Sequence, residues 1–414
     1  MFVLSKYNAA RWQNYLLASI AFLMPIWPRI IGGLLFLFSV LSIYNLFMGN
    51  VKPKLNLATL LVFVFLLLEV IGILYTENLD RGFFDLQLKL TLLAFTVAFL
   101  GFEFNEALDK ESTLKFFVLG AVVAASICLF QSAFKVIYLG SAYYHFLTSR
   151  YSVLMHQTYF ALYLNMAILI KVVQSWHLLN DRHSEGFKKS LLTLAFLTLG
   201  VVLAGSKTGF IMLILNLTGI FIALIKSFER KWIAILISTS SMLLIVLMFA
   251  FIPYLNERIT NMLGAFEKEK ISAEATESTA VRTLIYKSSK DIVMHQPWYG
   301  QGTGDFQDRL DEYYHENGYI HLYEQHLNAH NLFYQVWIAL GIPGLLTLIS
   351  IFILLIVKSI STRKYIYLGF SLLFLIVALT ESALYVQAGL TFFAFYTLMF
   401  AKDDDYPIRL TSHY

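Results

Sequence analysis

The run from Leu55 to Tyr75, LNLATLLVFVFLLLEVIGILY, decides the fold class of this chain. Its only acidic or basic residue is Glu69. As a helix it is long enough for a hydrocarbon layer of roughly 30 Å, which takes about 20 mostly apolar residues to cross. Similar runs recur along the 414 residues, of which 58% are hydrophobic and 14% charged, with a mean hydropathy of +0.66. That composition lies well outside the soluble globular range. It implies an all-α, polytopic membrane protein, and nothing has the alternating short strands of an outer-membrane barrel.

Twelve spans are expected, near 13–27, 30–48, 55–75, 84–102, 114–137, 152–173, 189–204, 208–225, 232–252, 331–357, 365–380 and 384–401. Lys6 and Arg11 precede the apolar run Tyr15–Ile26 in the manner of a secretory signal. The run ends in bulky PIWPR with no small-x-small cleavage site, so a retained first helix is expected. Pro25, Pro28 and Pro253 fall at expected helix ends, where breaking a helix costs least.

Lysines and arginines in short loops are retained on the cytoplasmic side during insertion. Lys6 and Arg11; Lys52 and Lys54; Lys171, Arg182, Lys188 and Lys189; Lys226, Arg230 and Lys231; and Lys358, Arg363 and Lys364 all fall on one side of the twelve-span scheme. Both termini are therefore expected in the cytoplasm. The other side receives the turns 76–82, 138–151, 205–207 and 381–383 and a large polar loop holding His295, His315, His321, His326 and His330. Three regions result: a nine-span part over 1–252, an outer loop over 253–330 and a three-span part over 331–414. Within the loop, helices are expected at Thr279–Met294 and Phe306–His326, and the patch Glu267–Lys270 is read as a solvated helix face.

Several function classes drop out. The net charge of +4 is spread among short loops, which argues against nucleic-acid binding. Cys128 is the only cysteine, so one chain has neither a disulfide framework nor a cysteine metal site. His326-Leu-Asn-Ala-His330 lacks the glutamate of a zinc-protease helix, and Gly302-Thr-Gly304-Asp lacks the Gly-Lys-Ser/Thr ending of a phosphate loop. No metal or other cofactor is expected. The glycines 302 and 304 are read as permitting a tight turn.

His330 and Asn331 stand where the outer loop enters the tenth expected span. After nine intervening residues comes Gly341-Ile-Pro-Gly344. Earlier, Arg282 is followed after a helix-length gap by Gln296-Pro-Trp-Tyr-Gly-Gln-Gly-Thr-Gly-Asp-Phe306, and Gly205-Ser-Lys-Thr-Gly209 forms a short turn. In this order and topology the motifs resemble the O-antigen ligase and O-antigen polymerase superfamily, chiefly over residues 200–345. Lys207 stands where the resemblance expects arginine.

The resemblance implies an enzyme of the bacterial inner membrane, working in lipopolysaccharide biosynthesis with its site facing the periplasm. It implies transfer of a glycan from undecaprenyl diphosphate to an acceptor hydroxyl, on lipid A core or another surface glycan, without nucleotide or metal. Arg282 is then the catalytic cation, clamping the diphosphate together with Lys207. His330 is the base for the acceptor hydroxyl. Asn331, Glu381, His156 and Arg150 are supporting candidates, and Gly341 and Gly344 are small residues that let helices approach. The bland reading of Arg282 is a pairing with Asp291 or a nearby glutamate. A repeat-unit polymerase, a protein O-oligosaccharyltransferase and, in another class, a secondary transporter are the alternatives.

Overall fold

The computed structural model describes residues 6–53, 55–104, 110–140, 150–180, 184–227 and 278–402. The ninth expected span, the first third of the outer loop with Glu267–Lys270, and Lys54, Arg182, Arg230 and Lys231 lie outside the described residues. Every regular element among the described residues is helical. The helices are α1 (Lys6–Leu23), α2 (Ile31–Phe47), α3 (Leu57–Ile73), α4 (Leu79–Leu100), α5 (Lys110–Tyr138), α6 (Gln157–Gln174), α7 (Glu185–Ala204) and α8 (Lys207–Ser227). After them come α9 (Ser278–His295), α10 (Phe306–Glu316), α11 (Ile320–Glu324), α12 (Leu332–Ser361), α13 (Tyr365–Thr380) and α14 (Gln387–Ala401). Among the described residues, five stretches are long and apolar enough to cross a membrane: Pro28–Phe47, α4, α5, α7 and α12. Helices α3, α13, α14 and most of α8 are equally apolar but shorter.

Burial places α6 and α14 at the centre. Helix α6 is buried without interruption from Thr158 to Ile168, and α14 from Ala388 to Ala401. Around α6 pack α5, α7, α8 and α13, while α3, α4 and α13 touch α14. Some polar side chains between helices answer one another locally, which an apolar solvent favours. The Asn165 amide donates to the carbonyls of Ala161 and Gly209, and Asn216 donates back to Asn165, which ties α6 to α8.

Two expected elements are subdivided. The loop helix expected over 306–326 is broken at Asn317–Gly318, where Gly318 has φ +68°. The Gly318 and Tyr319 amides donate to the carbonyls of His315 and Tyr314, the paired bonds of a glycine-terminated helix.

The second break matters more. Gly341 interrupts α12 with φ 63°, ψ −156°. The part after the break rises about 30 Å at 1.5 Å per residue, and its antiparallel neighbour α13 rises about 24 Å. Asn331 nevertheless donates to the carbonyl of Leu379, near the end of α13. A straight α12 would carry Asn331 roughly 20 Å past that point. Residues 332–340 therefore turn back across the end of the bundle instead of extending a span. The carbonyls of Ile338 and Ala339, orphaned by the break, accept from the amides of Gln301 and Gly302, and the Ile342 amide donates to the Trp298 carbonyl. A Cβ on Gly341 would lie 2.1 Å from the Trp298 oxygen, and one on Gly300 would lie 2.4 Å from the Gly341 nitrogen. Gly344 meets Leu340 and Val336 of its own helix, so it closes the bend and does not seat a neighbouring helix.

The outer segment 299–305 docks on the α3–α4 turn. Tyr75 donates to the Tyr299 carbonyl, Thr303 Oγ1 to the Glu69 carbonyl, and the Gly304 amide to Thr76 Oγ1. The Asp305 carboxylate accepts from the amides of Glu77 and Asn78. Gly304 lies against the Asn78 carbonyl and Gly82, so its lack of a side chain serves close backbone approach to a neighbouring turn.

Candidate functional site

Helix α9 buries Val281, Leu284, Ile285, Ser288, Ser289, Ile292 and Val293, one continuous stripe at helical spacing. Arg282 and Tyr286, one turn apart, flank that stripe and reach the end of the bundle. Arg282 meets Glu381, the residue that ends α13 in an extended conformation. One guanidinium nitrogen donates to Glu381 Oε1 at 2.9 Å. On the other carboxylate oxygen, His330 Nδ1 lies 3.2 Å from Oε2. Thr158, in the first turn of α6, donates to Oε1 at 3.3 Å. The carboxylate is only 7% exposed, while the side chains of Arg282 and His330 are 25% and 26% exposed. A buried anion thus holds two groups that open toward solvent.

The backbone places His330 deliberately. Its φ is +42°, a left-handed conformation uncommon for a residue with a side chain. Its amide donates to Asn328 Oδ1, and the single proton of the Tyr286 hydroxyl is shared between the carbonyls of His330 and Leu379. Asn331 caps the half-helix that follows, accepting from the amides of Phe333 and Tyr334. The Ser382 hydroxyl shares its one proton between Asn328 Oδ1 and Gln335 Oε1, fastening the Glu381 turn to the same segment.

Electrostatics follow from this arrangement. Burial pushes the Glu381 carboxyl up, but the hydrogen bond from His330 and the charge of Arg282 outweigh it, so the group sits below the usual carboxylate value. Charged Glu381 accepts from Nδ1, which leaves Nε2 of a neutral His330 as the ring's acceptor. His156 caps α6, accepting from the Thr158 amide at 3.4 Å. Its ring is exposed at the rim, yet desolvation by the surrounding protein lowers its pKa against the opposing pull of Glu381.

Lys207 opens α8 and donates to Thr279 Oγ1 at 2.9 Å, one turn before Arg282 on α9. The structure thus gathers Arg282, His330, Glu381, Asn331 and His156, with Lys207 on the adjoining turn. Arg150 is exposed ahead of α6 and takes no part in the bonds to Glu381. Asp291 does not pair with Arg282; it accepts from Tyr313 at 2.6 Å. His326 pairs with Asp311.

Sequence reasoning ranked Glu381 with the supporting residues, whereas it is the group on which the others converge. Tyr286 was missed altogether, and Thr158 was not singled out from the stretch His156–Tyr159. A carboxylate ending an apolar helix is the one signal that marks Glu381, because an ionisable group beside a span needs a partner.

No curated protein matches the chain. The family model described as O-antigen ligase matches residues 192–349, a stretch that runs from within α7 to past the bend of α12 and includes Lys207, Arg282 and His330. With its apolar helices, the chain is a membrane protein whose residues 192–349 are similar to the O-antigen ligase family of glycosyltransferase-like enzymes.

Proposed function

We propose that the protein transfers a glycan from undecaprenyl diphosphate to an acceptor hydroxyl at the periplasmic face of the inner membrane. The observation that carries the reading is the shared carboxylate: Glu381 holds an always-charged guanidinium and an imidazole side by side, both partly open to solvent. The turns at 76–82, 205–207 and 381–383, which charge alternation assigns to the outer side, all touch residues 278–330. That supports one site at one membrane surface.

Arg282 spends one nitrogen on Glu381, and the rest of its planar fork can address diphosphate oxygens, with Lys207 adding a point charge. Nε2 of His330 takes the proton of the acceptor hydroxyl as the oxygen attacks the anomeric carbon. The bond from that carbon to the diphosphate oxygen breaks, and undecaprenyl diphosphate leaves with the electron pair, its charge met by the two cations. Glu381 stabilises the imidazolium as it forms. The donor carries its own leaving group, so no nucleotide is consumed.

The test is transfer by purified protein from an undecaprenyl-diphosphate glycan, without added nucleotide or metal, offered lipid A core or a second lipid-linked repeat. Product on the core supports ligation, and lengthened lipid-linked glycan indicates polymerisation instead. Wild-type rates from His330→Ala and Arg282→Ala would remove the proposed site.

A further inference from the structure

Below the Glu381 turn lies a second set of charges that the proposed reaction does not use. Arg81, Asp85 and Lys89 follow one another along one face of α4, and the last pairs with Glu69 of α3 at 3.4 Å. Both members of that pair are fully buried. Neither carboxylate oxygen of Glu69 has a hydrogen-bond partner from the protein among the described residues. A buried pair so poorly satisfied gains little stability against the cost of desolvating both ions. Ionisable groups at membrane depth call for another explanation.

The ammonium of Lys89, in contrast, has further partners. It donates to the Leu384 carbonyl at 3.0 Å and lies 3.6 Å from the centre of the Tyr385 ring. Residues 383–385 are the single helical turn that follows Glu381, with the Ala383 amide bonded to the Glu381 carbonyl. On its other partner, the Glu69 carbonyl accepts from Thr303 of the docked outer segment. One buried cation therefore meets the Glu381 turn directly and the outer loop through its partner. Ser382 holds the same turn from the side of His330.

We propose that Lys89, neutralised by Glu69, is a positioning residue that holds the turn 381–385 so that Glu381 stands between Arg282 and His330. Its link to turnover rests on the functional reading above; its hold on the turn does not. Two measurements separate them. The variants are Lys89→Met, and Lys89→Met with Glu69→Gln, which leaves no lone buried charge. Each is compared with wild type and Glu381→Gln in lipid nanodiscs.

Amide hydrogen exchange, read by mass spectrometry, should rise about tenfold or more in the segment 381–387 and stay unchanged in α6. In glycan transfer, kcat should fall about tenfold with donor KM within about twofold, the split expected of a displaced catalytic group. Unchanged exchange at 381–387 overturns the proposal whatever the activity. Faster exchange with wild-type kcat, when Glu381→Gln loses kcat, overturns it too. Exchange that rises equally in α6 in both variants makes the pair a general fold element and also overturns it. If Glu381→Gln itself transfers at the full rate, the functional reading fails, and the exchange data alone decide what Lys89 holds.

Discussion

Replacing Glu381 by glutamine tests the site at its centre. The carboxylate accepts from Arg282 at 2.9 Å, from His330 at 3.2 Å and from Thr158 at 3.3 Å. Glutamine keeps one acceptor oxygen and turns the other into a donor, so if it accepts from Arg282 it donates to Nδ1 of His330, which puts the ring's proton on Nε2 and removes the acceptor the reaction needs. One charge-assisted hydrogen bond is lost, worth about 1.5–3 kcal/mol. If the whole of that loss falls on the transition state, kcat drops roughly 10- to 150-fold. Donor KM should not rise, because the charge removed is the one that competes with phosphate for Arg282. The assay is initial-rate transfer from an undecaprenyl-diphosphate glycan in nanodiscs, with folding checked by thermal unfolding. A kcat within twofold of wild type, at equal protein, refutes the assignment of Glu381 as the organiser of the site.

The same residue makes stability depend on pH. Its folded pKa lies below the ordinary 4.5, so its stabilising contribution is present above that value and is lost as the pH falls through the lower folded value. Thermal midpoints of wild type should fall in that acid window and those of Glu381→Gln should fall less; parallel curves would contradict the sign. Gly341→Ala places a Cβ 2.1 Å from the Trp298 carbonyl at φ 63°. Positive φ with ψ −156° is a backbone region open essentially to glycine alone, and occupying it costs a side-chain-bearing residue about 1–3 kcal/mol, so a lower melting temperature with reduced transfer is expected, and a wild-type melt would show that the bend is not needed. Lys207→Met should raise donor KM while Lys207→Arg retains activity, since either cation can meet phosphate; equal KM in wild type and Lys207→Met removes lysine from the donor site.

Much of the fold was legible because apolar run length maps directly onto helix length. The observed α3, α7, α8 and α13 begin and end within a few residues of their apolar runs. The bend at Gly341 was not legible: the residues on both sides are apolar, so hydropathy runs smoothly through a place where the backbone reverses. Arg282, Lys207 and His330 stood out through motif spacing. The weight of Glu381 did not, because what marks it is the meeting of three distant helices. The Lys89–Glu69 pair was likewise hidden, since Glu69 in one apolar run and Asp85 and Lys89 in the next say nothing of which of them face each other.

The bend in α12 also has a consequence for biogenesis. The carbonyls that it frees at Ile338 and Ala339 are answered, among the described residues, by the amides of Gln301 and Gly302. Those partners leave the ribosome first. As the closing helices emerge from the translocon, the preceding segment is already available to receive them, so the reversal need never stand with bare peptide groups in lipid.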